Sequence, residues 1–486
     1  MSRFSVDVSN THQASELAWE ALRACNVAND ARQFIFRFGS IPSRFERDDS
    51  GALVAVPLTH WRMRFRLNEI ASFGRPTEHG WKPLAGVPGD VTNTVIATPD
   101  PQLPIVARLV EVPVLAPTGE VHDRPGYSPD ARVFYEPSPG LPLLPVPDVP
   151  NRKQVVAARR LLTHELFKDF PFVGDAEKAH AVAMLLQPFL RDLIDGPTPL
   201  FLVEAPTPGT GKGLLVHAAL WPATGIPVPA MTEGRDEDEW RKRITAKLRP
   251  SPQVVLIDNL GEHLDSAAVS SVLTAETWSD RILGTSYDAH LPNRCVWVAT
   301  GNNPSLSSEM VRRSVRIRLD ARQERPEDRD DWRHPDLLRW AAENRAHLVR
   351  AALTLARAWV VAGKPSGKRR LGSYEAWSDV TGGVLTVAGI PGFLDNLDQL
   401  RANARDEGSE FGVFLQAWHQ QWGSTPLTVK ELGDELAQTL PLPPGKDRNR
   451  QLGRALGQNV DRVYGELVLR RARKHHQVQR WRVEPA

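Results

Sequence analysis

The stretch from Pro199 to Leu220 constrains the fold more than any other part of the chain. Pro199 to Glu204 (PLFLVE) is a near-continuous apolar run, the pattern of a strand buried on both faces of a parallel sheet. It leads into Pro206, Thr207, Pro208, Gly209, Thr210, Gly211, Lys212 and Gly213, and these into an apolar helical segment, Leu214 to Leu220. A glycine-rich turn in that setting exposes backbone N–H groups to phosphate oxygens. The helix N-terminus adds positive potential there, and a lysine reaches the β and γ phosphates. The turn predicts an α/β domain in which Pro208, Gly209, Thr210, Gly211, Lys212, Gly213 and Leu214 bind a nucleotide. It departs twice from G-x-x-x-x-G-K-[ST]: Pro206 replaces the first glycine, and Gly213 replaces the hydroxyl residue that normally ligates Mg²⁺. Alone, the loop reads equally well as a structural glycine turn.

Three further strands follow. Val254 to Asp258 (VVLID) and Arg294 to Thr300 (RCVWVAT) are again nearly continuous apolar runs. Ser314 to Leu319 alternates Val315, Ile317 and Leu319 with Arg316 and Arg318, which predicts a half-exposed strand. Asp258, 46 residues past Lys212, ends a buried strand where a carboxylate can hold a metal-bound water, or where a strand simply turns. Asn259 follows in place of the glutamate that commonly polarises the attacking water, leaving Glu262 and Glu204 as alternatives. Asn302 and Asn303 end the next strand, placed either to orient a water near a γ phosphate or to form an ordinary Asn-Asn-Pro turn. Arg312 and Arg313 precede the last strand, as solvated cations or as a finger reaching a neighbouring subunit's nucleotide. In this order, at strand ends, the signals predict a P-loop ATPase using ATP and Mg²⁺. Lys212, Asp258, Asn302, Asn303, Arg312 and Arg313 are its catalytic candidates, with Asp258 as the metal ligand.

At 486 residues the chain is long enough for roughly three domains. Residues 1–135, opening with a helix over Ala14 to Ala28 and a hairpin turn at Asp48 to Gly51, read as a small α+β domain. Fifteen of the 40 prolines fall between Pro83 and Pro150, and 136–151 reads as an extended linker. A helical segment (152–198) then precedes the ATPase core (199–325), and a helical extension (326–422) follows it. Residues 423–486 begin with a capping box at Thr428 to Glu431. They run helix, helix, then two alternating strands, the order of a winged helix. The fold class expected is multi-domain α/β. With 41% apolar and 24% charged residues, a largely disordered or fibrous chain is excluded. No apolar run reaches the roughly 18 to 20 residues of a membrane span, and the first ten residues lack an apolar signal core. A cytoplasmic protein without membrane contact is expected. Two cysteines, Cys25 and Cys295, exclude a disulfide framework or a cysteine metal site and read as small core residues.

The net charge of +2 hides an asymmetry. Residues 1–150 carry 14 basic against 17 acidic side chains, whereas 446–482 carry 11 against 3. Arg470, Arg471, Arg473 and Lys474, with Arg480, Arg482 and Trp481, lie on the expected wing and point to phosphate contact with DNA, or to a solvated face. The excess of arginine over lysine, 48 to 12, reads as genome composition.

The set APTPGTGKGLL, VVLIDNL, WSDRILG, VWVATGNNPSL and VRRSVRIRLD resembles the helicase part of phage and integrative-element primase-helicases, a branch of the superfamily 3 and AAA+ ATPases. The similarity extends over about residues 30–420, including DEDEWRKRITA (236–246) and LGSYEAWSDVTGGVLTVAGIPGFLDN (371–396). It implies a hexameric ring that hydrolyses ATP at subunit interfaces and translocates on single-stranded or forked DNA, in a bacterial cell or phage-infected host. By that resemblance Lys212 binds phosphates, Asp258 binds Mg²⁺, Asn302 or Asn303 is the sensor, and Arg312 or Arg313 acts in trans. It also implies a DNA-touching hairpin over Arg281 to His290, with Tyr287 and His290 near its tip; the residues themselves read equally well as an ordinary surface hairpin. Nothing in the first 200 residues resembles a primase domain, so priming falls to a separate primase. An ATP-binding replication initiator that assembles on DNA without unwinding it is the rival reading.

Overall fold

The computed structural model describes residues 4–28, 34–39, 41–98, 102–261, 263–281, 288–330, 332–400, 409–432, 440, 448–464, 466–475 and 478–486. It divides into two units, Met1–Leu397 and Asp398–Ala486.

The apolar runs of the first unit form a five-stranded sheet. Its strands in chain order are β1 (Leu200–Ala205), β2 (Ala230–Met231), β3 (Val254–Leu260), β4 (Val296–Asn302) and β5 (Ser314–Arg318). Their spatial order is β2-β3-β4-β1-β5, and every neighbouring pair is parallel. A sheet of parallel strands needs covering on both faces, and every residue of β1 is buried. Helix α1 (Asp175–Leu190) is buried almost end to end, and α2 (Lys212–Thr224) follows the glycine-rich turn. One apolar cluster joins the strands to α1, α2 and the helices Arg345–Val361 and Glu375–Ala388. No described helix is long and apolar enough to cross a membrane. Cys25 and Cys295 are both buried and unpaired.

In the first unit, two expectations meet a different outcome. The proline-rich 136–151 is extended but does not stand clear as a linker. Leu141 and Val146 pack on the core, and the Asp148 carbonyl accepts a 2.8 Å hydrogen bond from Arg357. Proline density sets the extended backbone, while the apolar side chains between the prolines decide where it lies. Strand β5 is not half-exposed: Arg316 is 2% exposed. Its carbonyl is capped by α1, through His180, and by Asn396, and its guanidinium lies 3.9 Å from the buried carboxylate of Glu204. The alternation records an internal ion pair rather than a solvent face.

The N-terminal part is α+β. Phe4–Asp7, Ala71–Thr77 and Gly80–Pro83 form one sheet, and Ile35–Phe38, Ile41–Arg47 and Leu53–Pro57 form a meander that turns at Asp48–Gly51. Helices Thr11–Ala24, His60–Ile70 and Gly89–Ala97 accompany them. A buried pair, Arg108 to Asp192 at 3.3 Å, ties this part to the segment before β1.

The second unit has its own core: Phe411, Phe414, Trp418, Leu452, Leu456, Leu469, Trp481 and Val483. The hairpin Leu467–His475 and Val478–Pro485 is flanked by Leu427–Thr428 and Val463–Tyr464, with helix Arg448–Gln458 in the same unit. Thr428 and Glu431 make both reciprocal bonds of a capping box, at 2.6 and 3.3 Å. The helix expected after it falls largely on 433–439, outside the described residues. Helix Ser409–Trp422, expected in the extension 326–422, instead supplies Phe411, Phe414 and Trp418 to this core. Its apolar stripe tells that it packs, not against which partner.

Candidate functional site

In a parallel sheet the C-terminal strand ends gather loops at one edge, which is where ligands bind. Here that edge holds the turn after β1 and the ends of β3 and β4. Gly209 and Gly211 have φ of 77° and 94°, a left-handed conformation that side chains resist, and Gly211 caps the N-terminus of α2. The Thr210 hydroxyl donates to the Thr207 carbonyl at 2.8 Å and closes the turn. Lys212, first residue of α2, donates from Nζ to Asn302 Oδ1 at 2.6 Å.

On the neighbouring strand β3 lies Asp258. Thr300 Oγ1 donates to Asp258 Oδ1 at 2.5 Å and accepts from the Asn259 N–H at 2.9 Å. Asn259 takes φ 55°, and the β3–β4 register shifts between Ile257 and Leu260. This bulge leaves Asp258 and Asn259 exposed at the end of an otherwise buried strand. Burial lowers the pKa of Lys212, and the nearby Asp258 charge opposes that shift. His217, further along α2, shows the same two effects in the same order. A partly desolvated ammonium beside an exposed carboxylate and an amide is suited to an anion accompanied by a cation.

The predicted residues are therefore brought together in part. Lys212, Asp258 and Asn302 share one edge. Asn303 has φ 44°, and its N–H donates to the Ala205 carbonyl at 3.1 Å, so its backbone shapes the turn. Gly213 has open space around it and no hydroxyl. Glu204 is buried and held by Arg318 at 2.7 Å, and Glu262 lies outside the described residues.

Four polar groups escaped the sequence reading: Thr300, His217, Glu233 and Glu327. Thr300 precedes Asn302 by two residues on one strand, so their shared side was legible from alternation. Glu233 Oε2 accepts the Gly261 N–H at 2.8 Å, and a Cβ at Gly209 would lie 2.5 Å from Glu327 Oε2. Neither contact has a local signal. Beside the turn is a cavity of about 680 Å³, lined by Lys168, Asp169, Phe170, Pro171, Gln323 and Arg329 among others. The Phe170 ring sits 3.7 Å from where a Cβ at Gly211 would be, so the cavity borders the glycine turn.

Arg312 and Arg313 lie at the opposite edge. The Arg313 carbonyl accepts from the Leu200 N–H at the start of β1, and Ser314 pairs with Leu200. The length of β1, roughly 20 Å at 3.3 Å per residue, separates them from the glycine turn. Arg313 pairs with Glu309 at 2.9 Å, and Arg312 is exposed.

A hairpin is present at the expected position, as Thr277–Arg281 paired with Asp288–Pro292. Its tip, 282–287 with Tyr287, lies outside the described residues. His290 Nδ1 is 2.9 Å from Ser279 Oγ, and a Cβ at Gly39 would overlap the His290 carbonyl. In the basic tail, Arg470 pairs with Asp461 at 2.7 Å and Glu484 at 3.2 Å, and Arg482 pairs with Glu484 at 3.0 Å. Arg471 lies over the Trp481 ring at 5.6 Å, and Arg473, two residues on, is exposed. Lys474 falls on the same strand, but its side chain is outside the described residues.

No family model and no curated protein matches the chain. Among solved structures, the apo A form of the NrS-1 C-terminal region is similar at 10% identity and a TM-score of 0.41, over 93% of this chain and 96% of that one. SCCmec type IV Cch, described as an active helicase, is similar at 10% identity and a TM-score of 0.36, over 92% and 90%. At these values neither likeness carries an assignment.

Proposed function

We propose that the chain is an ATP-dependent DNA helicase or translocase of the superfamily 3 and AAA+ type. It acts as a ring-shaped oligomer, a hexamer, in replicating a phage or integrated element. The observation that carries this reading is the convergence of Lys212, Asn302 and Asp258 at one edge of a parallel sheet, beside a turn made by two left-handed glycines. These residues fit ATP with Mg²⁺: the exposed Asp258 carboxylate suits the cation, and the turn with Lys212 suits the β and γ phosphates. Bound Mg²⁺ neutralises charge that develops on the transferred phosphoryl group. Lys212 shares that role, and Asn302, now holding Lys212, orients the attacking water. The cavity beside Gly211 takes the nucleoside. Arg312 or Arg313, out of reach of its own turn, serves the nucleotide of the next subunit. The tail hairpin holds DNA, and priming comes from a separate primase.

Steady-state ATPase with and without single-stranded DNA, and strand displacement on a forked duplex, test this reading. Lys212→Ala should abolish DNA-stimulated turnover, and full turnover in that variant would remove the phosphate-loop assignment. Gly213 and Asn259, at the positions of the usual metal hydroxyl and water-polarising glutamate, favour the second reading. On it the chain is an initiator that binds ATP and assembles on DNA, and ATPase without strand displacement would select it.

A further inference from the structure

Helix His60–Ile70 (HWRMRFRLNEI) turns Met63, Arg66 and Leu67 inward, where Met63 and Leu67 join Val6, Trp19 and Phe73 in a small core. Its other face carries Trp61 and Phe65, one helical turn apart, 71% and 58% exposed. No other described large apolar side chain is as exposed as Trp61. Single exposed apolar residues are ordinary, but two adjacent large rings on a well-anchored helix are costly unless something covers them. The strand leading to the helix, Leu53–Pro57, is fixed to the ATPase part through the Ala55 N–H, which donates to the Pro250 carbonyl at 3.0 Å.

Cations frame the rings. The Arg64 guanidinium is 5.9 Å from the Trp61 ring centre and has no carboxylate partner among the described residues. Arg62 is exposed and only loosely paired with Glu46 at 3.8 Å, and His60 meets Trp61 edge-on at 5.2 Å. The helix has one acid, Glu69, which pairs with Arg66 at 3.2 Å. The centre of a protein-docking patch is depleted in charge. Here guanidiniums alternate with aromatic rings and no aliphatic side chain is exposed on the helix, a composition that suits flat bases joined by phosphates.

We propose that this face is a stacking platform for single-stranded nucleic acid, with bases on Trp61 and Phe65 and phosphates against Arg62 and Arg64. The platform uses none of the residues of the phosphate loop and does not depend on its assignment. Iodouracil-substituted oligo(dT) is photo-crosslinked to the full chain without nucleotide, in wild type and in Lys212→Ala, and the crosslinked peptides are identified by mass spectrometry. Crosslinks should fall on His60–Ile70 in both proteins, so a failed ATPase reading leaves this result standing. Trp61→Ala with Phe65→Ala should remove them and weaken oligo(dT) binding about tenfold or more. Arg64→Glu should weaken binding more than Arg64→Lys, which covers the case in which the double variant folds poorly. Crosslinks confined to other segments, with affinity unchanged in the variants, would overturn the proposal. So would an altered oligomer mass in the double variant with unchanged oligo(dT) affinity, which marks the face as a contact between copies.

Discussion

Lys212 and Glu327 meet the same turn with opposite charge. Lys212 favours phosphate there, whereas the Glu327 carboxylate lies against Gly209, where it repels any anion the turn accepts. Glu327→Gln should therefore raise nucleotide affinity by a few-fold at low salt, with the gain shrinking as ionic strength rises. Titration with a fluorescent nucleotide measures this, and equal affinities at low salt would show that the carboxylate swings clear. Lys212, Asp258 and Asn302 were legible because each belongs to a local pattern, a strand and the turn that ends it. Glu327 was not, since only tertiary folding brings it to Gly209 from 118 positions away. Glu204 fails as a water-polarising group for a similar reason: its neutralising partner, Arg318, lies 114 residues on.

At the level of elements, α1 is keyed to the sheet through one imidazole. His180 Nε2 accepts from the Leu394 N–H at 3.0 Å, so Nδ1 carries the proton that it donates to the Arg316 carbonyl at 2.8 Å. Burial holds this ring neutral and pushes its pKa down from 6.5 to about 4. Above pH 6.5 folded and unfolded chains are both neutral at this site. As pH falls from there toward about 4, the unfolded chain takes up the proton first and stability is lost, by up to about 3 kcal/mol. Thermal melts at pH 7 and 4.5 should show a larger drop for wild type than for His180→Gln, and equal drops would argue against the link. The strands themselves were readable from apolar runs. The covering of β5 was not, because Arg316 and Arg318 write the pattern of an exposed edge while Glu204 sits behind them. The capping box and the hairpin of the tail were readable from local pattern, yet the helix Ser409–Trp422 that contributes to its core carried no mark of that allegiance.

Over the whole molecule, Lys212 and Arg313 stand at opposite edges of one sheet, so neither edge alone holds both charges. An interface that brings one edge of a copy to the other edge of the next is head-to-tail, and such contacts close into rings when the rotation permits. Doping wild type with Arg313→Ala subunits should depress ATPase more steeply than dilution, whereas a strictly proportional decline would assign the arginine a role within its own chain. The near-zero net charge was legible as a cancellation, but the tail's ion pairs among Arg470, Arg482, Asp461 and Glu484 reduce what it offers a partner. Arg471 and Arg473 are among the described tail cations without a carboxylate partner. The division of the chain at Leu397 and Asp398 then gains a kinetic meaning. If the helix His60–Ile70 and the tail hairpin each hold one strand as proposed, the second capture is intramolecular. A strand let go by one unit would still be tethered by the other, and rebinding would outrun escape.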